Sequence, residues 1–203
     1  MTDEVALEIL GEVTQKHGTN LNGVTVRGRR AALNFYRLVE LVELSVTIDA
    51  DTKAAATEMT YALYPVAGLS LLLDGSSAPI HTANEAEHLE LNAETAAAYA
   101  RFFLFALRAG GGEPFILYES APDVVPNELR EAAALATPLK AAETDEAGNF
   151  LFDGVVVYQG ELSKARFAVP ADGQIEMTDD EPLLVKVPEE LTGTASLMGI
   201  EPG

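Results

Sequence analysis

The chain has 203 residues, 48% of them hydrophobic, enough to bury a proper core as one domain or as two small packed ones. It carries 32 acidic against 13 basic residues, a formal charge of -19 at pH 7, which repels a phosphate backbone and argues against nucleic-acid binding. Cysteine is absent, which excludes structural disulfides, thiolate metal sites and cysteine nucleophiles and fits a reducing cytoplasm.

Met1-Thr2-Asp3-Glu4 places acid where a secretory signal needs positive charge, and no apolar run approaches the roughly 20 residues that span a bilayer. The expectation is a soluble, cytoplasmic protein with no membrane partner. Acid is not confined to a tail: residues 1–100 carry 14 acidic and 6 basic groups, residues 101–203 carry 18 and 7. One basic island interrupts it, at Arg27, Arg29, Arg30 and Arg37. Its first expected task is to balance the surrounding carboxylates.

Along the chain, Val5, Leu7, Ile9, Leu10 and Val13 predict a helix over 4–16, stopped at His17-Gly18. Val24 to Arg27 and Ala31 to Tyr36 read as two short extended segments joined around Gly28. The period over Leu38 to Glu43 is ambiguous, and Ser45 to Ile48 reads as strand. Lys53 to Met59 suits a brief helix before strands at Tyr61 to Tyr64 and Leu69 to Leu73, the latter ended by Asp74-Gly75. The principal helix is predicted over 93–109: Asn92 caps it, Glu94 favours its dipole, and Gly110 to Gly112 ends it. Tyr99, Phe102, Phe103, Ala106 and Leu107 recur at helical spacing, and Leu104 with Phe105 widens the apolar surface, so this helix is expected to be covered on more than one side.

Phe115 to Tyr118 follows as a strand, then a second helix over 127–136 closed by Pro138. Phe150 to Phe152 and Val155 to Tyr158 are apolar on both alternation faces, the pattern of a central strand. Gln159-Gly160 turns into Leu162 to Val169, where Ala165, Phe167 and Val169 oppose Lys164 and Arg166. Asp172-Gly173 turns again into Ile175 to Met177, Asp179-Asp180-Glu181 reads as a solvated turn, and Leu183 to Val187 ends the pattern. Gly23 to Gly28 faintly echoes Gly154 to Gly160. The expected fold is α+β: an antiparallel, meander-like sheet packed against helix 93–109 with one or two smaller helices. It is expected to form one domain over 1–190, with a division near 75–92 as the alternative, and a frayed tail at 191–203.

Two of the three histidines lie close together. One helix over 81–88 would place His81, Glu85 and His88 on roughly one face, which makes them a metal-site candidate. The context argues against it, because Pro79 precedes the segment and Asn84 interrupts it; no metal or other cofactor is expected. His81 or His88 with Asp74 or Glu119 forms a general-base candidate. Arg27, Arg29 and Arg37 are candidates for holding an anionic head group, and Tyr61, Tyr64 and Tyr99 for orienting a small substrate. No calcium loop, phosphate loop or nucleophile elbow is present in the sequence.

A non-catalytic protein-interaction or accessory module fits these residues best. It predicts an apolar patch or exposed sheet edge that takes a protein partner or a second copy, with a basic partner favouring the carboxylate-rich C-terminal third. The alternatives are an isomerase, hydratase or hydrolase using a histidine–carboxylate pair in an α+β cup, and a carrier of a small anionic ligand.

Overall fold

The computed structural model describes residues 11, 24–48, 56–109, 113–118, 135, 138–139 and 143–184. The helices expected over 4–16 and 127–136 lie outside these residues apart from Gly11 and Leu135, as does the tail.

The first half is a four-stranded antiparallel meander of β1 (Val24–Ala32), β2 (Glu40–Ile48), β3 (Ala56–Val66) and β4 (Leu69–Leu72), in that spatial order. Two helices follow, α1 (Ala78–Glu87) and α2 (Ala96–Ala106), and then a two-stranded pair of β5 (Arg108–Ala109) and β6 (Glu113–Pro114). The second sheet runs β11 (Glu176–Leu184), β10 (Glu161–Val169), β9 (Phe150–Tyr158), β7 (Ile116–Tyr118), with β8 (Glu143–Thr144) also paired to β9. The fold is α+β and its pairings are antiparallel. Among the described residues the expected single sheet is two larger sheets and a two-stranded pair: local alternation says which residues form strands, and it carries no information about which strands pair across intervening helices.

The helices join the sheets. One buried cluster links Leu41 and Leu63 of the first sheet, Ile80 and Ala83 of α1, the α2 aromatics, and Phe152, Val156 and Phe167 of the second sheet. α2 is buried around most of its circumference, at Tyr99, Ala100, Phe102, Phe103 and Leu104, and Phe105 meets Tyr61 of β3 edge to face at 5.0 Å. Its all-round apolar sequence is what such a position requires. β9 likewise buries Val155, Val156 and Val157 in succession, so both of its faces are covered.

Several local expectations yield to pairing. β1 runs straight through Gly28, because its whole length is laddered to β2 from Val24↔Ile48 to Ala32↔Glu40. Ala56 to Met59 are strand, although alanine, glutamate and methionine favour helix. The β2–β3 register pairs them with Ile48 to Ser45, and tertiary partners override weak propensity. The segments echoed in sequence occupy different places, an edge strand in β1 and an inner strand in β9. α2 starts at Ala96, later than expected. Asn92 Oδ1 accepts the Glu94 and Thr95 N–H groups at 2.9 and 3.1 Å, so Asn92 organises a turn before the helix and Glu94 lies in that turn.

Candidate functional site

α1 forms despite Pro79 because proline in the first helical turn loses no intrahelical hydrogen bond. The helix stops when His88 enters the left-handed region at φ 51, and the Leu89 N–H turns back to the Asn84 carbonyl at 2.9 Å. His88 therefore leaves the helical face that carries His81 and Glu85. Among the described residues no group of three His, Cys, Asp or Glu side chains is arranged to hold a metal ion.

Asn84, expected to interrupt this segment, is a buried hub within it. Its Oδ1 accepts the Tyr36 hydroxyl at 2.6 Å, and its Nδ2 donates to the Tyr99 hydroxyl at 2.7 Å and to the Asp172 carbonyl at 3.2 Å. The Tyr99 hydroxyl in turn donates to the Gly173 carbonyl at 2.8 Å. Four separate parts of the chain meet here: the β1–β2 connection, α1, α2 and the β10–β11 turn. The Leu91 N–H adds a bond to the Ala171 carbonyl at 3.1 Å. Polar groups so buried need partners, and each supplies the other's.

This knot floors a cavity of about 380 Å³ between α1 and the β10–β11 turn. His81, Glu85, His88, Glu90, Asp172 and Gln174 form its walls, over Asn84 and Leu89. The structure thus brings both neighbouring histidines to one cavity with carboxylates. Asp74 is not among the lining residues; its carboxylate accepts the Ser76 N–H at 3.0 Å and hydroxyl at 2.7 Å. Glu119 lies outside the described residues. The His81 ring leans on Phe103, 5.9 Å between centroids.

The remaining candidates do not converge. Arg29 pairs with Glu43 directly across β1–β2, a contact that raises the guanidinium above its ordinary range. Arg30 reaches Glu40 at 3.1 Å and lies over the Tyr64 ring at 5.5 Å. Arg37 is exposed in the β1–β2 connection, and Arg27 sits in β1 opposite Ser45. Strand alternation turns Tyr61 and Tyr64 to opposite faces of β3, and Tyr99 belongs to the Asn84 knot. Tyr36 and Gly173 were not singled out as site residues; aromatic and turn signals marked them, but nothing in the sequence connects residues 137 positions apart.

Burial pushes the Tyr36 and Tyr99 hydroxyls well above the ordinary tyrosine value and raises that of Tyr118. The folded state therefore holds these protons more tightly than the unfolded chain. The corresponding stability is complete below about pH 10 and is lost as pH rises beyond it. Urea unfolding from pH 9 to pH 11 is expected to show a falling midpoint, with a slope approaching about 1.4 kcal/mol per pH unit for each of Tyr36 and Tyr99. The variant Tyr36→Phe should flatten that slope; an unchanged slope would remove Tyr36 from the account.

Among the described residues β11 is the edge of its sheet, and every residue from Glu176 to Pro182 is exposed. Asp179, Asp180 and Glu181, expected in a turn, lie within the strand, paired with Arg166, Ala165 and Lys164. Register shifts flank this stretch, the signature of β-bulges that increase twist. Pro182 is tolerated because an edge strand need not donate every N–H. On the neighbouring strands Arg166 grips Asp153 through two bonds, at 2.8 and 2.9 Å, which lowers the Asp153 carboxyl below its usual range. β11 itself contributes Glu176, Asp179, Asp180 and Glu181 and no basic residue.

Among the described residues no helix is long and apolar enough to cross a membrane. Comparison of the chain with protein-family models, with curated proteins and with solved structures finds no match.

Proposed function

We propose that the chain is a non-catalytic interaction module that binds a basic, extended polypeptide segment by strand addition to β11. The observation that carries this reading is the exposed edge from Glu176 to Pro182, which holds four carboxylates and no lysine or arginine of its own; Arg166 and Lys164 face Asp179 and Glu181 from β10, on the side away from an incoming strand. An open strand edge supplies main-chain hydrogen bonds to an incoming strand, and side chains of alternate residues select it. The charge decides which strand: a second copy of β11 would set carboxylate against carboxylate, and like charges directly opposite are destabilising. Lysine- or arginine-rich strands gain attraction at the same positions, and the overall charge of -19 speeds their encounter.

The test is fluorescence anisotropy with a short labelled peptide of alternating arginine and valine, against a glutamate–valine control. The basic peptide is expected to bind, weakening as salt shortens the Debye length from about 10 Å at 0.1 M. The combined variant Asp179→Asn, Asp180→Asn, Glu181→Gln should lose at least about tenfold in affinity. Hydrogen exchange should show new protection of β11 amides in the complex. Binding that ignores the triple variant, or that protects no β11 amide, sinks the proposal.

A further inference from the structure

We infer that the strand added to β11 is β1 of a second copy of this chain, so that copies join edge to edge through strands of opposite charge. The inference rests on the reading of β11 as a strand-accepting edge. Among the described residues β1 ends the first sheet as β11 ends the second, and its Gly28, Arg29 and Ala32 are exposed. Both strands are nine residues long. β1 carries Arg27, Arg29 and Arg30 and no acidic residue, whereas β11 carries four carboxylates and no basic residue. Within one chain the two edges belong to different sheets and do not pair with each other. Each is already extended and laddered to a neighbour, so joining them costs little ordering.

The charges match by position. Arg27 and Arg29 are two residues apart, as are Asp179 and Glu181, and that spacing puts both members of each pair on one face of a strand. Set antiparallel, like the pairings among the described residues, Arg29 falls opposite Asp179 and Arg27 opposite Glu181, with Gly28 opposite Asp180. Arg29 already pairs with Glu43 of β2, and Arg166 with Asp153 of β9. The row across the joint then reads Asp153, Arg166, Asp179, Arg29, Glu43, alternating in sign at every step. Like edges offer no such match: β11 against β11 sets acid against acid, and β1 against β1 sets arginine against arginine. The formal charge of -19 repels whole copies. At about 0.15 M salt the Debye length is about 8 Å, which screens that repulsion and leaves charges in contact their attraction. Each copy carries both edges, so the contact is head to tail and continues beyond a dimer, as a ring or an open chain.

The test is sedimentation equilibrium of the full chain at that salt over about 10–500 μM, a range suited to a small, transient interface. The average mass is expected to rise with concentration past that of a dimer. Arg27→Glu with Arg29→Glu, and separately Asp179→Arg with Glu181→Arg, should each weaken association by at least about tenfold, because each sets like charges across the joint. Mixing the two variants should restore it, since the acidic β1 of one meets the basic β11 of the other and the two unaltered edges also meet. Where a reversed variant melts early, the neutral pairs Arg27→Gln with Arg29→Gln and Asp179→Asn with Glu181→Gln carry the test. Each should lose association with little change in Tm, because exposed ion pairs contribute little to stability. A mass that stays monomeric throughout, association that ignores these variants, or folded reversed variants whose mixture stays apart overturns the inference. The arginine–valine peptide tells this failure from that of the underlying reading. If it binds β11 while the chain stays monomeric, only the second copy is struck out as the partner; if it does not bind either, the reading of β11 falls as well. Where the chain associates, saturating peptide should dissolve the assembly, and an assembly that survives an occupied β11 also overturns the inference.

Discussion

Replacing Asn84 by leucine is expected to remove about 3 kcal/mol of stability, seen in calorimetry as a fall of roughly 6–12 °C in Tm. Leucine keeps the branch point and heavy-atom count of asparagine, and its bulkier methyl groups add an overpacking cost to the polar loss. The substitution deletes three hydrogen bonds at one point. It leaves the buried Tyr36 hydroxyl without its acceptor and the Asp172 carbonyl without its donor. A neutral bond contributes about 1 kcal/mol net, and a buried group left unsatisfied costs about 1–3 kcal/mol.

The pairing makes a sharper test than the single variant. Tyr36→Phe alone should be destabilising, because it strips Asn84 Oδ1 of its donor. In the Asn84→Leu background the same change should cost almost nothing, since the hydroxyl it removes no longer has a partner. A coupling energy of about 1 kcal/mol or more is the expected result of that cycle. Additive losses would mean that the two groups do not act as a pair. Asn84→Asp is not a gentle alternative, because it brings a carboxylate into the same buried position.

How far the sequence reaches is visible at this same residue. Strand directions in the C-terminal third were legible because period-two alternation is local: Ala165, Phe167 and Val169 are buried, Lys164 and Arg166 exposed. The burial of α2 was legible for the same reason, since an all-round apolar helix has few places to go. Asn84 was not. A single asparagine in a charged, proline-led segment reads as a break, and only the arrival of Tyr36, Tyr99 and Asp172 makes it a helix-interior hub. β11 failed in the other direction. Asp179-Asp180-Glu181 has turn composition and no apolar face to bury, so alternation is silent; the ladder to β10 alone holds it extended. The cavity inherits both failures, since its walls come from that misread helix and from the turn before that misread strand. The Asp172-Gly173 turn was legible, and its contact with Tyr99 was not.

Gly173→Ala tests that contact, and it should cost about 3 kcal/mol or more, while Gly148→Ala should cost about 1–2 kcal/mol. Both glycines sit in the left-handed region, at φ 79 and φ 85, so both substitutions pay the same backbone penalty. Their surroundings differ. A Cβ at Gly148 meets nothing within 4 Å, whereas one at Gly173 would lie 2.5 Å from the Tyr99 hydroxyl oxygen and 2.7 Å from a Leu89 methyl carbon. Neither neighbour yields freely. The Tyr99 hydroxyl is tied to Asn84 and to the Gly173 carbonyl itself, and Leu89 is buried beneath the cavity. The difference between the two variants, measured by urea unfolding, isolates the contact from the backbone term. Equal losses would mean that Tyr99 moves aside easily and that the knot is loose. An excess of about 1–3 kcal/mol at Gly173 would mean that the β10–β11 turn is clamped to α2. Through that clamp the cavity wall at Asp172 and the root of the exposed strand β11 are set by the same buried hydroxyl.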